Sequence, residues 1–453
     1  MSLYADEIIR FSSVLKMSYN LIAGRDELKR MKLREKKKLI SVALPISDLI
    51  FGFSNLVPVF PIRMHVFKIS KYLSYLGSAS SFFGWDNVSK FLGFIKNAGI
   101  EEISKIIDDI IDDVIETLNQ KYNEMYDIGV ERGLSTDFCF GLKTLVGMHV
   151  TKMKNVSATM NYTIRCSAWN KYSESLKNID SNVKDIWLDI PPRNIGNSME
   201  LLEDNIRSAI HELEKLSGHS YSDNTLREHF KLTNQIRRDY KTIIYDIGAS
   251  DFYPCNPATF SEILALLSIS FQDYNSNAKR YAENIHQMVN EMRERIRKGL
   301  GMDVSEYKKI LVTPMFGGWE PKTHEIIYKL GGRALYADWD VLRLLDDIPI
   351  TSKEDPIEAY ADFVMNATEN GIGCDNNVLT DSYMRVAKKL NADGLVFNQL
   401  FGCHSISNCY RLLKDKVRKD LEIPSMYYTF NRIGENVEQV STRLGAFMEM
   451  VTG

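Results

Sequence analysis

Six cysteines, at positions 139, 166, 255, 374, 403 and 409, are the side chains with the widest chemical reach in this 453-residue chain. A thiolate is both a nucleophile and a soft metal donor. No two of the six form a Cys-x-x-Cys pair, so spacing alone leaves two readings open: ligands gathered from distant segments, or inert buried thiols. Position adds information. Cys166 ends the strand-like run Ala158 to Ile164 and Cys403 follows the run Gly394 to Gln399, and the carboxyl ends of parallel strands are where ligand crevices form. Cys139 stands in Thr136-Asp-Phe-Cys-Phe-Gly141, at another loop-to-helix junction. Cys255, between Pro254 and Pro257, has no evident partner, and Cys409 reads as a core residue of the helix after Cys403.

Other candidates carry two readings each. Asp48 is either an acid/base carboxylate or an acidic residue stabilising the start of a short helix. His404 either hydrogen-bonds a group held by Cys403 or simply packs. His211, His229 and His286 fall in helical sequence and read as surface or packing residues. Asp108, Asp109, Asp112, Asp113 and Glu116 alternate with isoleucines at spacings of three and four, the pattern of the wet face of an amphipathic helix rather than of a metal site. A Walker-type phosphate loop is missing, so the chain is not expected to bind ATP itself.

The elements that must position these residues follow from periodicity. Residues 1–38 read as a helical segment, dense in Lys and Arg from Arg25 to Lys38, a solvated face by composition. Residues 39–198 form a first α/β domain carrying Cys139 and Cys166, with strands at Leu39 to Leu44 and Val59 to Met64 around a short apolar helix. Residues 199–305 form a helical module: Glu200 to Leu216 stops at Gly218, and Thr259 with Glu262 reads as a capping box. Residues 306–453 form a second α/β domain carrying Cys374 and Cys403, with strands at Lys309 to Val312, Ala334 to Ala337, Gly394 to Gln399 and Met426 to Phe430. The expected fold is α/β: two parallel-sheet domains with flavodoxin-like layers, and the helical module between them.

Composition narrows the function classes. A net charge of -3 gives no general attraction to nucleic acid, and six cysteines are too sparse for a disulfide scaffold. The apolar stretch Leu39 to Met64 is broken by Pro45, Asp48, Pro58, Pro61 and Arg63, so no membrane span is expected. A reducing, cytoplasmic location is the expectation.

Several segments look like those of one family, and the last four of them, from Asn391 on, stand in its order and spacing. They are Leu44-Pro-Ile-Ser-Asp-Leu-Ile50, Leu134 to Gly141, Asn161 to Ser167 and Trp187-Leu-Asp-Ile-Pro-Pro192, then Asn391-Ala-Asp-Gly-Leu-Val396, Cys403-His404, Lys414 to Pro424 and Ser441 to Met450. Through them the chain, from about Leu39 to Val451, resembles the subunits of 2-hydroxyacyl-CoA dehydratases and benzoyl-CoA reductases. Gly373-Cys374-Asp-Asn-Asn377 and the Trp319 region are closer to the alpha-like subunits, in particular the B-type subunit of benzoyl-CoA reductases. The resemblance implies that Cys139, Cys166 and Cys403 hold a 4Fe-4S cluster with one iron open to an acyl-CoA substrate. Cys374 would be a fourth thiolate closing that cluster, a ligand of a larger one, or neither. Asp48, where the family has Glu, would be the acid/base facing cluster and substrate, and His404 would sit beside the cluster. The implied partners are a related second subunit in a heterodimer, or a second copy in a homodimer, and a separate ATP-hydrolysing iron–sulfur activator. Two rival readings stand beside this one: a double-cubane-cluster reductase of small molecules, and a non-catalytic scaffold subunit.

Overall fold

The computed structural model describes residues 5–61, 71–98, 105, 120–135, 137–152, 156–163, 166, 169, 172, 184–313, 321–369 and 375–453. Cys374, Trp319 and the acidic residues between 108 and 116 lie outside the described residues, as does the side chain of His404.

β1 (Lys38–Val42), β2 (Leu56–Val59), β3 (Ala158–Tyr162) and β4 (Lys184–Leu188) make a parallel sheet in the order β2-β1-β3-β4. β3 is buried along its whole length and β1 nearly so, as in parallel sheets covered on both faces. The second strand begins three residues earlier than Val59, the expected start, and contains Pro58. Proline is tolerated there because β2 is an edge strand. Between β1 and β2 the short apolar helix is a 3-10 turn, Ser47–Gly52.

The chain then builds the helical region from Ser198–Ser217, Asp223–Lys241, Pro257–Ser270 and Ala278–Arg297. Gly218 caps the first of these in the left-handed conformation, φ 75°, as the sequence predicts. The third starts a turn earlier than the Thr259/Glu262 pair implies. Asn256 is its cap, accepting from the Thr259 N–H at 2.8 Å, with Pro257 at the first helical position. Two short strands that no periodicity announces, β5 (Phe252–Tyr253) and β6 (Met302–Asp303), pair antiparallel beside these helices.

β7 (Lys308–Thr313), β8 (Gly332–Tyr336), β9 (Gly394–Leu400) and β10 (Ser425–Phe430) form the second parallel sheet, in the order β10-β9-β7-β8. Numbered along the chain within each sheet, both sheets have the order 2-1-3-4. Each therefore has its topological switch between its first and third strands, where crevices open. One apolar core runs through both sheets and the helices between them. Among the described residues no helix is long and apolar enough to cross a membrane.

Candidate functional site

Cys166 and Cys403 occupy matching places. Each follows the third strand of its sheet, β3 and β9, on the carboxyl side of a switch point. The Cys166 carbonyl accepts from the Trp169 N–H at 3.1 Å, and the Cys403 carbonyl starts the short helix His404–Ser407 by accepting from the Ser407 N–H at 3.0 Å. Cys139 immediately precedes the helix Phe140–Lys152, and its carbonyl accepts from the Lys143 N–H at 3.2 Å.

Gly402 brings two of these loops together. Its φ is +76°, and a Cβ there would lie 2.4 Å from the Asp137 carbonyl oxygen and 2.9 Å from the Cys139 amide nitrogen. Only glycine lets the Cys403 loop touch the backbone of the Cys139 loop so closely. All three cysteines are free, partly buried and set in the wall of one cavity of about 220 Å³. Burial pushes the Cys139 thiol up to about 11; the neighbouring Cys166 adds to this, while the amides of Leu142 and Gly141 and the charge of Lys143 oppose it. Burial, with the nearby Cys139, also pushes the Cys403 thiol well above its ordinary value. Such thiols are protonated until a metal displaces the proton.

The cavity lies between the carboxyl ends of the two sheets. Val42, Leu44, Phe60 and Leu145 give it apolar walls, and Gln272 and Asp338 are among its few polar groups. Asp338 follows β8 and accepts a hydrogen bond from the buried Thr313 hydroxyl at 2.7 Å. Sequence reading did not single it out, although it stands directly after a strand end, the same signal that picked Cys166 and Cys403.

Asp48 is elsewhere. It is wholly buried in the 3-10 turn and is not among the residues lining the cavity. One carboxylate oxygen takes the Arg237 guanidinium at 2.7 Å and the other meets His229 Nε2 at 2.8 Å. Burial acts to raise its pKa, but Arg237 and then His229 outweigh it and hold the carboxyl below its ordinary value. Arg237 also donates to the Thr233 hydroxyl at 2.7 Å and to the Leu344 carbonyl at 3.2 Å, and it lies 4.7 Å over the Phe363 ring. His229 stacks on Phe51 with centroids 4.2 Å apart. The ion pair thus ties the first sheet's loop to the helical region and to the chain after β8.

Cys255 and Cys409 are wholly buried; for Cys409 this matches its reading as a core residue. Among the described residues no three His, Cys, Asp or Glu side chains converge tightly enough for a single metal ion. A cubane cluster offers its irons at separate corners, so its thiolates stand further apart than the ligands of one ion. Three thiols distributed around a cavity wall, two of them rising from different sheets, are a donor set of that wider kind.

No curated protein matches the chain. The family described as 2-hydroxyglutaryl-CoA dehydratase, D-component, matches residues 113–451. That span is three quarters of the chain and includes all three cavity cysteines, both third strands and the whole second sheet. On this match the chain belongs to the D-component family of 2-hydroxyglutaryl-CoA dehydratase, and so to the 2-hydroxyacyl-CoA dehydratases.

Proposed function

We propose that this chain is the iron–sulfur subunit of an activator-driven enzyme acting on a CoA thioester, with dehydration of a 2-hydroxyacyl-CoA as its reaction. The observation that carries this is the meeting of Cys139, Cys166 and Cys403 on one apolar cavity. These three thiolates would hold a 4Fe-4S cluster, with Cys374 as the candidate fourth donor. When bound, such a cluster supplies a low-potential electron and, with three protein ligands, an iron open to a substrate oxygen.

The chain's own residues have separate tasks. The apolar walls exclude water and receive the acyl group, while the CoA portion extends outward. Asp338, on the cavity wall, is the carboxylate placed to handle protons, because dehydration removes a hydroxyl and a hydrogen from the substrate as water. The acid/base role expected of Asp48 has less support, since both its oxygens are engaged away from the cavity. A related second subunit and an ATP-hydrolysing iron–sulfur activator complete the proposed system.

The benzoyl-CoA reductase variant of this reading rests on Cys374 and the Trp319 region, both outside the described residues, and the matched family favours dehydration. A double-cubane centre would call for more cysteines, and Cys255 and Cys409 are enclosed in the core. Anaerobic purification followed by iron and sulfide counting separates these, with about four irons per chain expected against about eight for a double cubane. Incubation with activator, ATP and a 2-hydroxyacyl-CoA or benzoyl-CoA then tests the reaction. An iron-free, colourless protein, or one that turns over neither thioester, would sink the proposal.

A further inference from the structure

We propose that Tyr122 is a catalytic residue of the cavity, its hydroxyl donating a hydrogen bond to the thioester carbonyl oxygen of the bound substrate and stabilising the negative charge that gathers there. The inference rests on the functional reading above and adds to it the group that answers the substrate oxygen.

Several polar side chains of the cavity wall are already engaged inside the protein. Tyr162 donates to the Leu44 carbonyl at 2.7 Å, Asn161 to Asp185 at 2.7 Å, and the Trp339 indole N–H to the Ser268 carbonyl at 3.0 Å. Tyr122 lies in the same wall as the three cysteines and is only 8% exposed, yet its hydroxyl has no hydrogen-bond partner among the described residues. Nor is that oxygen sealed in: Thr144 Oγ1 and Trp169 Nε1 are enclosed in this wall without partners, and the Tyr122 oxygen is not. It therefore faces open space, and the space that Tyr122 lines is the cavity. Leaving a buried hydroxyl unanswered costs about 1–3 kcal/mol, which an oxygen acceptor in the cavity recovers.

The backbone holds this phenol in place. Helix 120–131, which carries Tyr122, crosses the helix Phe140–Lys152 at two glycines. A Cβ on Gly129 would lie 2.1 Å from the Lys143 carbonyl oxygen, and one on Gly147 would lie 1.8 Å from that of Met125. Asn123 exchanges two hydrogen bonds with the Ile433 backbone, at 3.0 and 3.2 Å, so the helix is also fixed to the second half of the molecule. The Tyr122 ring lies 6.3 Å from that of Phe140, the residue after Cys139. One turn on, the Tyr126 hydroxyl is fully engaged, accepting from Lys143 at 3.2 Å and donating to Asn431 Oδ1 at 3.0 Å. Tyr172 also lines the cavity with an unpartnered hydroxyl, but it packs in a separate cluster with Leu134, Leu142 and Val146 and feels the charge of Asp185, which opposes a second negative charge nearby.

A thioester collects negative charge on its carbonyl oxygen whether an electron enters it or a proton leaves the carbon beside it. A fixed donor aimed at that oxygen stabilises the charged state more than the neutral one, and more so among apolar walls than in water. Burial pushes the Tyr122 phenol well above its ordinary value. It therefore stays protonated and donates without giving up its proton, and proton transfer remains with Asp338.

The test uses the full chain, purified anaerobically with its cluster, in wild-type form and as Tyr122→Phe and Tyr172→Phe. With activator and ATP, iron-loaded Tyr122→Phe is expected to lower kcat about 10²–10³-fold, the cost of one lost oxyanion donor, with little change in KM, and Tyr172→Phe to lower it far less. A second measurement needs no turnover. The 2-hydroxyacyl-CoA substrate, labelled with carbon-13 at the thioester carbonyl, is bound without activator, and infrared difference spectroscopy reads its stretch, expected at lower frequency in wild type than in Tyr122→Phe. An unchanged kcat in iron-loaded Tyr122→Phe, or equal losses in the two variants, overturns this inference and leaves the functional reading intact. A wild-type stretch equal to that of the thioester in an apolar solvent does the same, even where Tyr122→Phe fails to hold iron. Wild-type protein that holds no iron, or turns over no thioester, overturns both.

Discussion

The carboxylate of Asp48 faces two nitrogen donors from one helix, Arg237 and His229, in a place closed to water. Replacing it by Asn leaves the Arg237 charge buried without its counterion, and breaking a buried pair in this way costs roughly 3–5 kcal/mol. Asp48→Asn should therefore lower the denaturation midpoint markedly. Its pH signature has a definite sign. The native pKa is lowered relative to an unfolded value of about 3.9, so the stabilisation is complete above that value and is lost as pH falls through the native one. Urea unfolding of wild type between pH 6 and 3 should steepen at the acid end, and the variant should lack that component; equal acid profiles would contradict the assignment. Asp338→Asn should behave oppositely, leaving fold and iron content in place while turnover drops about 10²–10⁴-fold, the range for a lost general acid or base. Unchanged turnover would remove Asp338 from the mechanism. Sequence reading reached the charge at Asp48 but not its partners, because Arg237 is 189 residues away in the chain. A signal existed: Leu226, Phe230, Thr233, Arg237 and Tyr240 are buried at helical spacing, so an arginine sits in the apolar stripe of its helix.

Elements position the cysteines through backbone contact, and glycine decides how close they come. Gly402→Ala adds a methyl group that meets the backbone of the Cys139 loop and also places alanine at φ +76°, itself a cost of roughly 1–2 kcal/mol. Gly434 supplies the control, with φ +80° and open space around it. Gly434→Ala should lose only that conformational share, whereas Gly402→Ala should also lose bound iron, since it pushes apart two of the proposed ligand loops. Equal iron content in the two variants would show that this contact does not set the site. Sequence patterning located β3 and β9, the strands that precede the Cys166 and Cys403 loops, to within two residues: in β3 Ala158, Met160 and Tyr162 alternate with Thr159 and Asn161, and in β9 Leu395, Val396 and Phe397 are a buried apolar run. It could not locate the contact at Gly402, which joins residues far apart in the chain. It also missed Asn256 as a helix cap, because the Thr259 and Glu262 pair one turn later matches the same chemical rule.

At the scale of the molecule, two sheets of one strand order face a common cavity, and the proposed ligands are divided between them: Cys139 and Cys166 beside the first, Cys403 on the second. Strand and helix alternation made the two α/β layouts legible from sequence; the facing of their switch points was not, because it is fixed by contacts across the chain. These include the Tyr360 hydroxyl on the Pro45 carbonyl at 2.7 Å, the Asn123 amide on the Ile433 carbonyl at 3.0 Å, and Arg237 between Asp48 and Leu344. A cluster bound by both halves adds to these contacts only in the native arrangement, so its binding free energy becomes stability shared between the sheets. Removing iron with a chelator under anaerobic conditions should therefore lower the thermal midpoint. It should also speed amide hydrogen exchange in residues 137–145 and 401–409 together, while the helix Ser198–Ser217, none of whose residues lines the cavity, keeps its protection. The two loops should respond as one unit because each loses the partner that held it to the other. A thermal midpoint indifferent to iron, or exchange that rises in one loop alone, would mean that the metal belongs to one sheet and does not join the two.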